Sequence, residues 1–306
     1  MRTCVRYNRT VEVDMEERVA LLAILLGTKM SWTQVGTLVD DLGSAHALFS
    51  QLQGDSNRLF TEGDELQEAV STAEVLLARW SQAGIHFATF LEPEFPSQLL
   101  TIHQRPPFVT WKGSQSSQDS CGVAIVGTRA ASAEGVRCAR QLASEMASRG
   151  VTVISGLAAG IDTAAHLGAL DANGRTVAVI GTGLMRSYPK QNTALQARVA
   201  TSGMVLSQFL PDAAPTKFSF PMRNAVMSGF SSATVVIEAD WKSGARMQAR
   251  LALEHGRQVF LMDQLRQHDW AREYGERPGA HFVSSVDEIL SLLDRSSLGT
   301  GQLVDS

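Results

Sequence analysis

The second part of the chain alternates short apolar runs with amphipathic segments. The apolar runs have the length of strands, and they read GVAIVG, VTVISG, TVAVIG, GMVLS, ATVVIEA and QVFLM. The segments between them place apolar residues at helical spacing, and a last amphipathic segment covers residues 285–294. Short all-apolar strands that alternate with helices are typical of a parallel sheet covered on both faces. The pattern therefore predicts a doubly wound α/β domain over residues 121–296.

The first part of the chain has a different period. Between residues 15 and 52 apolar residues recur every three or four positions, with interruptions at two glycines. A further apolar helix face begins at Leu66 and runs to about residue 83. This spacing predicts short helices that together form a small all-α domain over residues 1–85.

A proline-rich segment joins the two parts. Prolines break residues 86–120 into extended pieces, and the run of Ser, Gln and Asp at 114–120 is typical of a linker. We therefore treat 86–120 as a lead-in and expect the domain boundary near that run or slightly before it. Residues 297–306 are expected to form a short C-terminal tail.

The composition indicates the cellular compartment of the protein and argues against a metal site and a cofactor. The chain has 306 residues, 44% of them hydrophobic, which is enough for a large core and a second small unit. It has neither an apolar run of about 18 residues nor the apolar core of a secretory signal, so we expect a cytoplasmic protein without a membrane segment. Its three cysteines, Cys4, Cys121 and Cys138, form no C-x-x-C pair. We therefore expect reduced thiols, no metal site and no cofactor.

Charge is distributed unevenly between the two parts. The net charge is −4, which argues against a general coat for nucleic acid. Residues 1–119 carry 9 Lys and Arg against 15 Asp and Glu, whereas residues 120–306 carry 18 against 16. A site for a polyanion would then be a local cluster of cations in the second part, because local potential governs phosphate binding.

The loops that follow the predicted strands are the places where such a sheet binds ligands. In the first loop, GTRAAS, Gly127 allows a tight turn and Ser132 is a suitable N-cap for the next helix. The amides of that helix start favour an anion, and Arg129 adds a positive charge. In the alternative interpretation, Gly127 serves only to form the turn and Arg129 is an ordinary solvated surface residue. The dinucleotide fingerprint G-x-G-x-x-G is absent, which argues against nicotinamide or flavin.

The second loop, SGLAAGIDTAAH, contains a serine, an aspartate and a histidine, the residue types that nucleophilic catalysis often uses. Asp162 and His166 are four residues apart on one helix face, where they can pair with each other. Ser155 precedes them but lacks the G-x-S-x-G pattern of a nucleophile elbow. We therefore favour a structural role for Asp162 and His166, bracing the loop at the sheet edge.

The later loops combine aromatic residues with cations. The third loop, GTGLMRSYPKQN, places Tyr188 between Arg186 and Lys190, an arrangement that suits a strand whose bases stack while its phosphates are neutralised. Tyr188 is equally compatible with a packed core position. The segment from 217 to 242 adds further cations and aromatics, namely Lys217, Arg223, Lys242, Phe218, Phe220 and Trp241. Loops from separate strands thus bring Arg129, Lys190 and Arg223 to one sheet edge, which indicates a polyanion site.

The ordered elements GTRAAS, ISGLAAGIDTAAHLGAL, GRTVAVIGTGLMRSYPKQNTAL, GMVLSQF and FPMRNAVMSGFSSATVVIEADWKSGARMQARLALEHGRQVF resemble the DNA-processing protein A (DprA, or Smf) family. The resemblance implies an extended Rossmann-like domain, preceded by a small sterile-alpha-motif-like or helix-hairpin-like domain. It further implies a non-catalytic protein that binds and protects single-stranded DNA and loads the recombinase RecA onto it in natural transformation and recombination. Such proteins are usually homodimers.

The resemblance also implies which residues contact DNA. Arg129 and Lys190 would contact phosphates, and Arg223 with Asn224 would complete the rim. Gly127, Ser155, Gly156 and Gly183 would allow close approach of the backbone. The full expected DNA-binding set is Gly127, Thr128, Arg129, Ser155, Gly156, Gly183, Arg186, Tyr188, Lys190, Asn192, Phe220, Arg223, Asn224 and Lys242. The chain departs from the family pattern at Ser207-Gln208, where Ser-Glu is usual, and in the segment 263–280. Many members of the family carry a winged helix at the C-terminus, and we expect none in the tail at residues 297–306.

Two other classes of function remain open. The same Rossmann-like superfamily contains nucleotide-binding sensors and nucleotide hydrolases such as the cytokinin-type phosphoribohydrolases, which use a glutamate at a helix start. At the corresponding position of SGARMQA this chain has Gln248, which cannot act as a carboxylate acid or base. That substitution argues against hydrolysis but leaves a nucleotide sensor possible. A structural interaction protein that works through its N-terminal helices is the third alternative.

Overall fold

The computed structural model describes residues 15–54 and 63–299. Its contacts divide the chain into two units, Met1–Phe95 and Pro96–Ser306. Cys4 and the end of the expected C-terminal tail lie outside the described residues. Within them, Cys121 and Cys138 are free thiols.

The first unit is helical, as the apolar spacing predicts. Its elements are α1 (Met15–Gly27), α2 (Trp32–Leu42), α3 (Ala45–Gly54), α4 (Gly63–Gln82) and the short strand β1 (His86–Thr89). Ser31 begins α2 with a capping box to Gln34, and Gly43 ends it in the left-handed conformation at φ 70°. Leu21, Leu22 and other residues of α1 are fully buried, so this helix forms the centre of the unit.

The second unit alternates strands and helices. Its strands are β2 (Phe108–Gly113), β3 (Val123–Val126), β4 (Val153–Ser155), β5 (Thr176–Val179), β6 (Met204–Ser207), β7 (Ala233–Val236), β8 (Gln258–Met262) and β9 (Ala280–Val283). Its helices are α5 (Ala133–Ser148), α6 (Ile161–Asp171), α7 (Thr193–Ser202), α8 (Ser219–Phe230), α9 (Gly244–Glu254), α10 (Asp269–Gly275) and α11 (Val286–Gly299). All residues of β3, β5, β6 and β7 are buried, as expected for strands covered on both faces.

The strands of this unit follow the order β2-β6-β5-β4-β3-β7-β8-β9. Neighbours are parallel, except that β2 runs antiparallel to β6. Val123 at the start of β3 is paired with Val153 of β4 on one side and with Ala233 of β7 on the other. The strand order therefore reverses between β3 and β7, which is the switch point where such sheets bind ligands. The predicted Rossmann-like, doubly wound and mostly parallel fold is confirmed.

The lead-in differs from a flexible linker. The structure divides the chain at Phe95, ahead of the Ser/Gln/Asp run, and that run forms a capped 3₁₀ helix at Ser117–Cys121. Asp119 is buried there and accepts hydrogen bonds from Arg175 Nε at 2.6 Å and Nη2 at 2.7 Å. The polar composition of the run thus serves a cap and a buried ion pair. These partners are far apart in the sequence, so composition alone does not reveal them.

Two general properties follow from the described residues. None of their helices is long and apolar enough to cross a membrane. In the same part of the chain, no group of three or more His, Cys, Asp and Glu side chains is arranged to hold a metal ion.

Candidate nucleic-acid interface

A cavity of about 370 Å³ opens at the switch point of the sheet. It lies beyond the carboxyl end of β3, and its walls come from the loops after β3, β4 and β7 and from α8 and α9. The lining residues are Val126, Gly127, Thr128, Arg129, Ala158, Asp162, Phe220, Pro221, Arg223, Asn224, Met227, Lys242, Ser243, Gly244, Ala245, Met247 and Gln248. The fold thus assembles one site from four distant stretches of sequence.

Positive charge dominates this cavity. Arg129 and Lys242 are exposed at it, and Arg223 is buried in its wall. Among the described lining residues Asp162 is the one acidic side chain, and its Oδ2 lies 3.9 Å from Arg223 Nη1. With Asp162 opposed by Arg223, the charges of Arg129 and Lys242 remain for a ligand, although the whole chain is negative.

Arg223 is held in place by the neighbouring loops. It is only 5% exposed, and its Nη1 donates a hydrogen bond to the carbonyl oxygen of Val179 at 3.2 Å. A Cβ atom at position 156 would overlap the guanidinium, so the glycine there makes room for Arg223. Burial lowers the pKa of Arg223 and raises that of the Asp162 carboxyl, while the opposite charge of each partner acts against both shifts.

Aromatic side chains lie beside the cations. The guanidinium carbon of Arg129 lies 5.0 Å from the ring centroid of Phe220, and the ring of Tyr188 lies 5.4 Å from the same ring. Tyr188 is 44% exposed, so it does not occupy the packed core position that the sequence also allowed. This contact places the loop after β5 next to the cavity. Arg129 is therefore flanked by aromatic surface at the cavity mouth.

The helix start after GTRAAS already holds an anion. Ser132 caps α5 as predicted, with its Oγ accepting a hydrogen bond from the amide of Gly135 at 3.0 Å. The carboxylate of Glu238 accepts from the amide of Ser132 at 3.2 Å and from its hydroxyl at 2.7 Å. The amide and the hydroxyl of Ser132 are thus bound to a carboxylate that the protein itself supplies from just after β7. A phosphate at the remaining amides of this helix start stays a prediction.

Several residues expected to contact DNA are packed closely against the protein itself. A Cβ at Gly127 would overlap Ile161, and one at Gly183 would overlap the carbonyl oxygens of Leu210 and Pro211. Ser155 is fully buried, and its hydroxyl donates to the carbonyl oxygen of Ile125 at 2.7 Å. The close approach that these residues permit is therefore packing of the chain on itself. Of this group Gly127 also lines the cavity, whereas Ser155, Gly156 and Gly183 do not.

Two asparagines of the expected set brace loops. Asn192 is buried, and its Nδ2 donates to the carbonyl oxygen of Leu157 at 2.9 Å and to Thr163 Oγ1 at 2.8 Å. Asn224 Nδ2 donates to the carbonyl oxygen of Gly244 at 3.3 Å and so joins α8 to the start of α9. Their amides are engaged in holding the walls of the site.

The three cations predicted at one sheet edge follow the carboxyl ends of the parallel strands β3, β5 and β6, as expected, but they do not all line the cavity. Arg129 and Arg223 line one cavity, whereas Lys190 is exposed outside its lining. Lys190 begins a 3₁₀ helix at Lys190–Asn192, in the loop whose Tyr188 contacts Phe220. Arg186 in the same loop donates to the carbonyl oxygen of Asp212 at 3.1 Å. Lys242 takes the place expected for a third cation of the cavity.

The second loop contains no paired Asp and His. Asp162 faces Arg223, and His166 Nδ1 lies 2.7 Å from Thr176 Oγ1 inside the core. Burial, with a smaller contribution from the charge of Arg223, lowers the pKa of His166 to about 3. Both side chains brace the fold, which is the structural role favoured from the sequence.

This chain resembles known proteins of one family. The sequence profile of the DNA recombination-mediator protein A family matches residues 86–294. The chain belongs to this family. Protein Smf of Synechocystis sp. is 40% identical over 190 residues, which cover 61% of this chain and 48% of that protein. DNA processing protein DprA of Streptococcus pneumoniae is 38% identical over 174 residues, covering 57% and 61%. The chain thus spans about half to three fifths of the length of these relatives.

Two solved structures have a fold similar to that of this chain. The X-ray structure of DprA from Streptococcus pneumoniae has a TM-score of 0.69 and 29% identity, over 90% of this chain and 95% of that one. The DNA processing protein A of Helicobacter pylori has a TM-score of 0.60 and 28% identity, over 69% and 97%. The report of the latter structure describes a single-stranded DNA binding mode of that protein.

Glu238 and Gln248 hold the loops and helices around the cavity in place, and neither was in the DNA-binding set expected from the sequence. The signal for Glu238 is an acidic residue directly after the buried strand in ATVVIEA. With the amide of Gln248 oriented to satisfy both groups, its nitrogen donates to the carbonyl oxygen of Asn224 at 3.0 Å and its oxygen accepts from the amide of Ser228 at 3.1 Å. Gln248 is buried and lines the cavity, so the position compared with a catalytic glutamate instead joins α9 to α8.

Proposed function

We propose that this DprA-family chain binds single-stranded DNA without catalysing a reaction on it. The observation that carries the proposal is the cavity at the switch point, where Arg129 and Lys242 are exposed while Arg223 opposes Asp162, the one acidic side chain among the described lining residues. Phosphates are the ligands that such a local excess of positive charge favours. The single-stranded DNA binding mode reported for the Helicobacter pylori relative supports the same ligand.

The aromatic residues favour a single strand over a duplex. Phe220 lies beside Arg129, and Tyr188 lies beside Phe220. Unpaired bases stack on aromatic rings while their phosphates contact cations. In this proposal Arg129 and Lys242 contact phosphates at the cavity, and Lys190 and Arg186 extend the contact along the neighbouring loop. Stacking and phosphate contacts carry little sequence information, so we expect similar affinity for different sequences.

The proposal that the site is non-catalytic is supported by the side chains in the cavity walls and in the core behind them. Asp162 is opposed by a guanidinium, and Gln248 has no acid or base function. His166 is buried against Thr176, with a pKa that keeps it neutral at physiological pH. None of these three groups is poised to activate water or to protonate a leaving group.

We extend the proposal to the biological role of the family. Membership supports a protein that protects single strands, loads RecA onto them in natural transformation or recombination, and works as a homodimer. The dimer is tested by sedimentation at two protein concentrations. RecA loading is tested by measuring RecA filament formation on DNA that is coated with a single-strand-binding protein, with and without this chain.

A nucleotide sensor is the second candidate function. The cavity volume of about 370 Å³ lies in the range of small-molecule sites, and switch points are common nucleotide sites. Saturable binding of a mononucleotide, with no binding of oligothymidine at low salt, would favour this alternative. Competition between the two ligands in one titration distinguishes the candidates directly.

The decisive experiment measures fluorescence polarisation of labelled oligothymidine with wild type and with the double variant Arg129→Ala, Lys242→Ala. We expect the double variant to lose affinity by at least ten-fold, because two charge-assisted contacts are removed. Arg250→Ala is the matched control, since it removes an exposed cation of α9 that pairs with Glu254 and does not line the cavity. Unchanged affinity in a correctly folded double variant would overturn the proposed site.

A further inference from the structure

Trp241 is an exposed tryptophan at the edge of the cavity. It lies in the loop between β7 and α9, directly before Lys242, which lines the cavity. Its side chain is 59% exposed, whereas Trp80, Trp111 and Trp270 are buried. An indole left in water forgoes the favourable burial of a large apolar surface, so its exposure calls for a physical reason.

The indole is held in a fixed position from one side. Arg246 places its guanidinium carbon 3.7 Å from the ring centroid of Trp241, and its Nη1 donates to the carbonyl oxygen of the same residue at 2.9 Å. The guanidinium carbon also lies 5.8 Å from the ring centroid of Tyr274, which is 3% exposed. A buried ring, a guanidinium and the exposed indole therefore adjoin one another. The guanidinium covers one face of an indole that is otherwise largely exposed.

This arrangement has the features of a platform for a flat ligand. Fixing the ring beforehand reduces the conformational entropy that a ligand would otherwise cost when it orders the side chain. Lys242 and Arg246 place positive charge beside the ring, which suits a flat group attached to a phosphate. An aromatic face beside cations is how proteins bind the bases of single strands without reading their sequence.

We propose that Trp241 stacks an unpaired nucleobase of the strand whose phosphates lie at Arg129 and Lys242. The strand then continues from the cavity over the loop between β7 and α9. This inference rests on the proposed function, since it adds a base-stacking position to the same DNA site. Arg246 is a positioning residue that acts through the ring.

The test crosses protein variants with DNA that lacks bases. Polarisation is measured for Trp241→Ala, Trp241→Phe and wild type, each with oligothymidine and with an abasic strand of equal length and charge. We expect Trp241→Ala to weaken oligothymidine binding roughly ten-fold and to leave binding of the abasic strand unchanged, because only a base can stack. Trp241→Phe keeps an aromatic face and retains most of the affinity. Val75→Ala, at an exposed apolar position of α4, is the control and changes neither affinity.

Tryptophan fluorescence gives a second readout. A stacked base quenches the indole, so oligothymidine should quench wild type, and the quenching should largely disappear in Trp241→Phe. Equal loss of affinity for normal and abasic strands in Trp241→Ala would overturn the inference, because the indole would then act through loop shape alone. Unchanged affinity for both strands would overturn it as well, and would leave the proposed function standing if Arg129→Ala, Lys242→Ala still weakens binding by at least ten-fold. Wild type that binds neither strand would instead remove the proposed function itself.

Discussion

The carboxylate of Glu238 lies at the N-terminus of α5, where it accepts hydrogen bonds from the amide and the hydroxyl of Ser132. The main chain of Glu238 takes part as well, since its carbonyl oxygen accepts from the amide of Thr128 at 2.7 Å. The loop that carries Arg129 is thus tied to the end of β7 at both of its ends. Arg129 consequently projects from a loop whose shape is set before any ligand binds.

Glu238→Gln should loosen this loop. The glutamine amide keeps one acceptor oxygen, but it replaces the other carboxylate oxygen by an NH2 group, which cannot accept a hydrogen bond from Ser132. We therefore expect the free energy of unfolding to fall by about 1 to 2 kcal/mol. Urea denaturation measures this change. Glu254→Gln removes an exposed carboxylate that pairs with Arg250 and should change the same quantity by less than about 1 kcal/mol. Equal effects of the two substitutions would show that Glu238 does not stabilise the helix start.

Arg129→Ala should change the salt dependence of DNA binding. Each phosphate that a cation neutralises contributes about 0.7 to the negative slope of log affinity against log salt for a single strand. We therefore expect a slope less steep by about this amount, with affinity at moderate salt lower by ~1 to 3 kcal/mol for every sequence tested. Polarisation titrations at four salt concentrations measure both quantities. Arg250→Ala should keep the wild-type slope, and a wild-type slope in Arg129→Ala would mean that this guanidinium contacts no phosphate.

Gly156→Ala should displace a buried guanidinium. The new Cβ would overlap Arg223 Nη1, which donates to the carbonyl oxygen of Val179. We expect the free energy of unfolding to fall by roughly 1 to 3 kcal/mol, as for other overpacked sites. Gly36→Ala is the matched control, because it lies inside α2 with no atom within 4 Å of the new Cβ. That variant should be stabilised by about 0.5 to 1 kcal/mol, so the two glycines should shift urea midpoints in opposite directions.

The sequence predicts the sheet and the edge at which the site lies. Runs such as VAIV and ATVV have the period and the apolar content of strands buried on both faces, and their carboxyl ends meet at one edge in any parallel sheet. Arg129 and Arg223 follow from that argument, because each lies close to the end of a strand or at the start of a helix facing it. Their meeting in one cavity is thus a consequence of topology.

The local roles at this edge depend on partners that are distant in the sequence. Ser132 and Glu238 are 106 positions apart, so nothing near GTRAAS indicates that this N-cap residue is bound to a carboxylate. From the sequence, Gly156 is expected to allow close approach of a ligand, whereas in the structure the side chain of Arg223 fills that space. A short motif predicts a turn and a free amide, but it does not predict which side chain of another strand fills the space.

The pH dependence of stability should report the buried His166. Its pKa is about 3 in the folded chain against 6.5 ordinarily, because burial disfavours the charged ring. Between these values the unfolded chain binds one more proton than the folded chain, so stability falls as pH decreases from about 6.5. The raised pKa of Asp162 acts in the opposite direction in part of this window, so the wild-type profile alone gives only a net effect.

His166→Asn isolates the contribution of the imidazole. Asparagine offers an amide near the position of Nδ1, which lies 2.7 Å from Thr176 Oγ1, but it does not titrate. On lowering the pH from 7 to 5, wild type should lose about 2 kcal/mol more free energy of unfolding than the variant, since one proton of linkage corresponds to about 1.4 kcal/mol per pH unit. Urea denaturation at four pH values measures this difference, which is independent of the lower absolute stability of the variant. Parallel profiles would mean that the imidazole becomes protonated as readily in the folded chain as in the unfolded one.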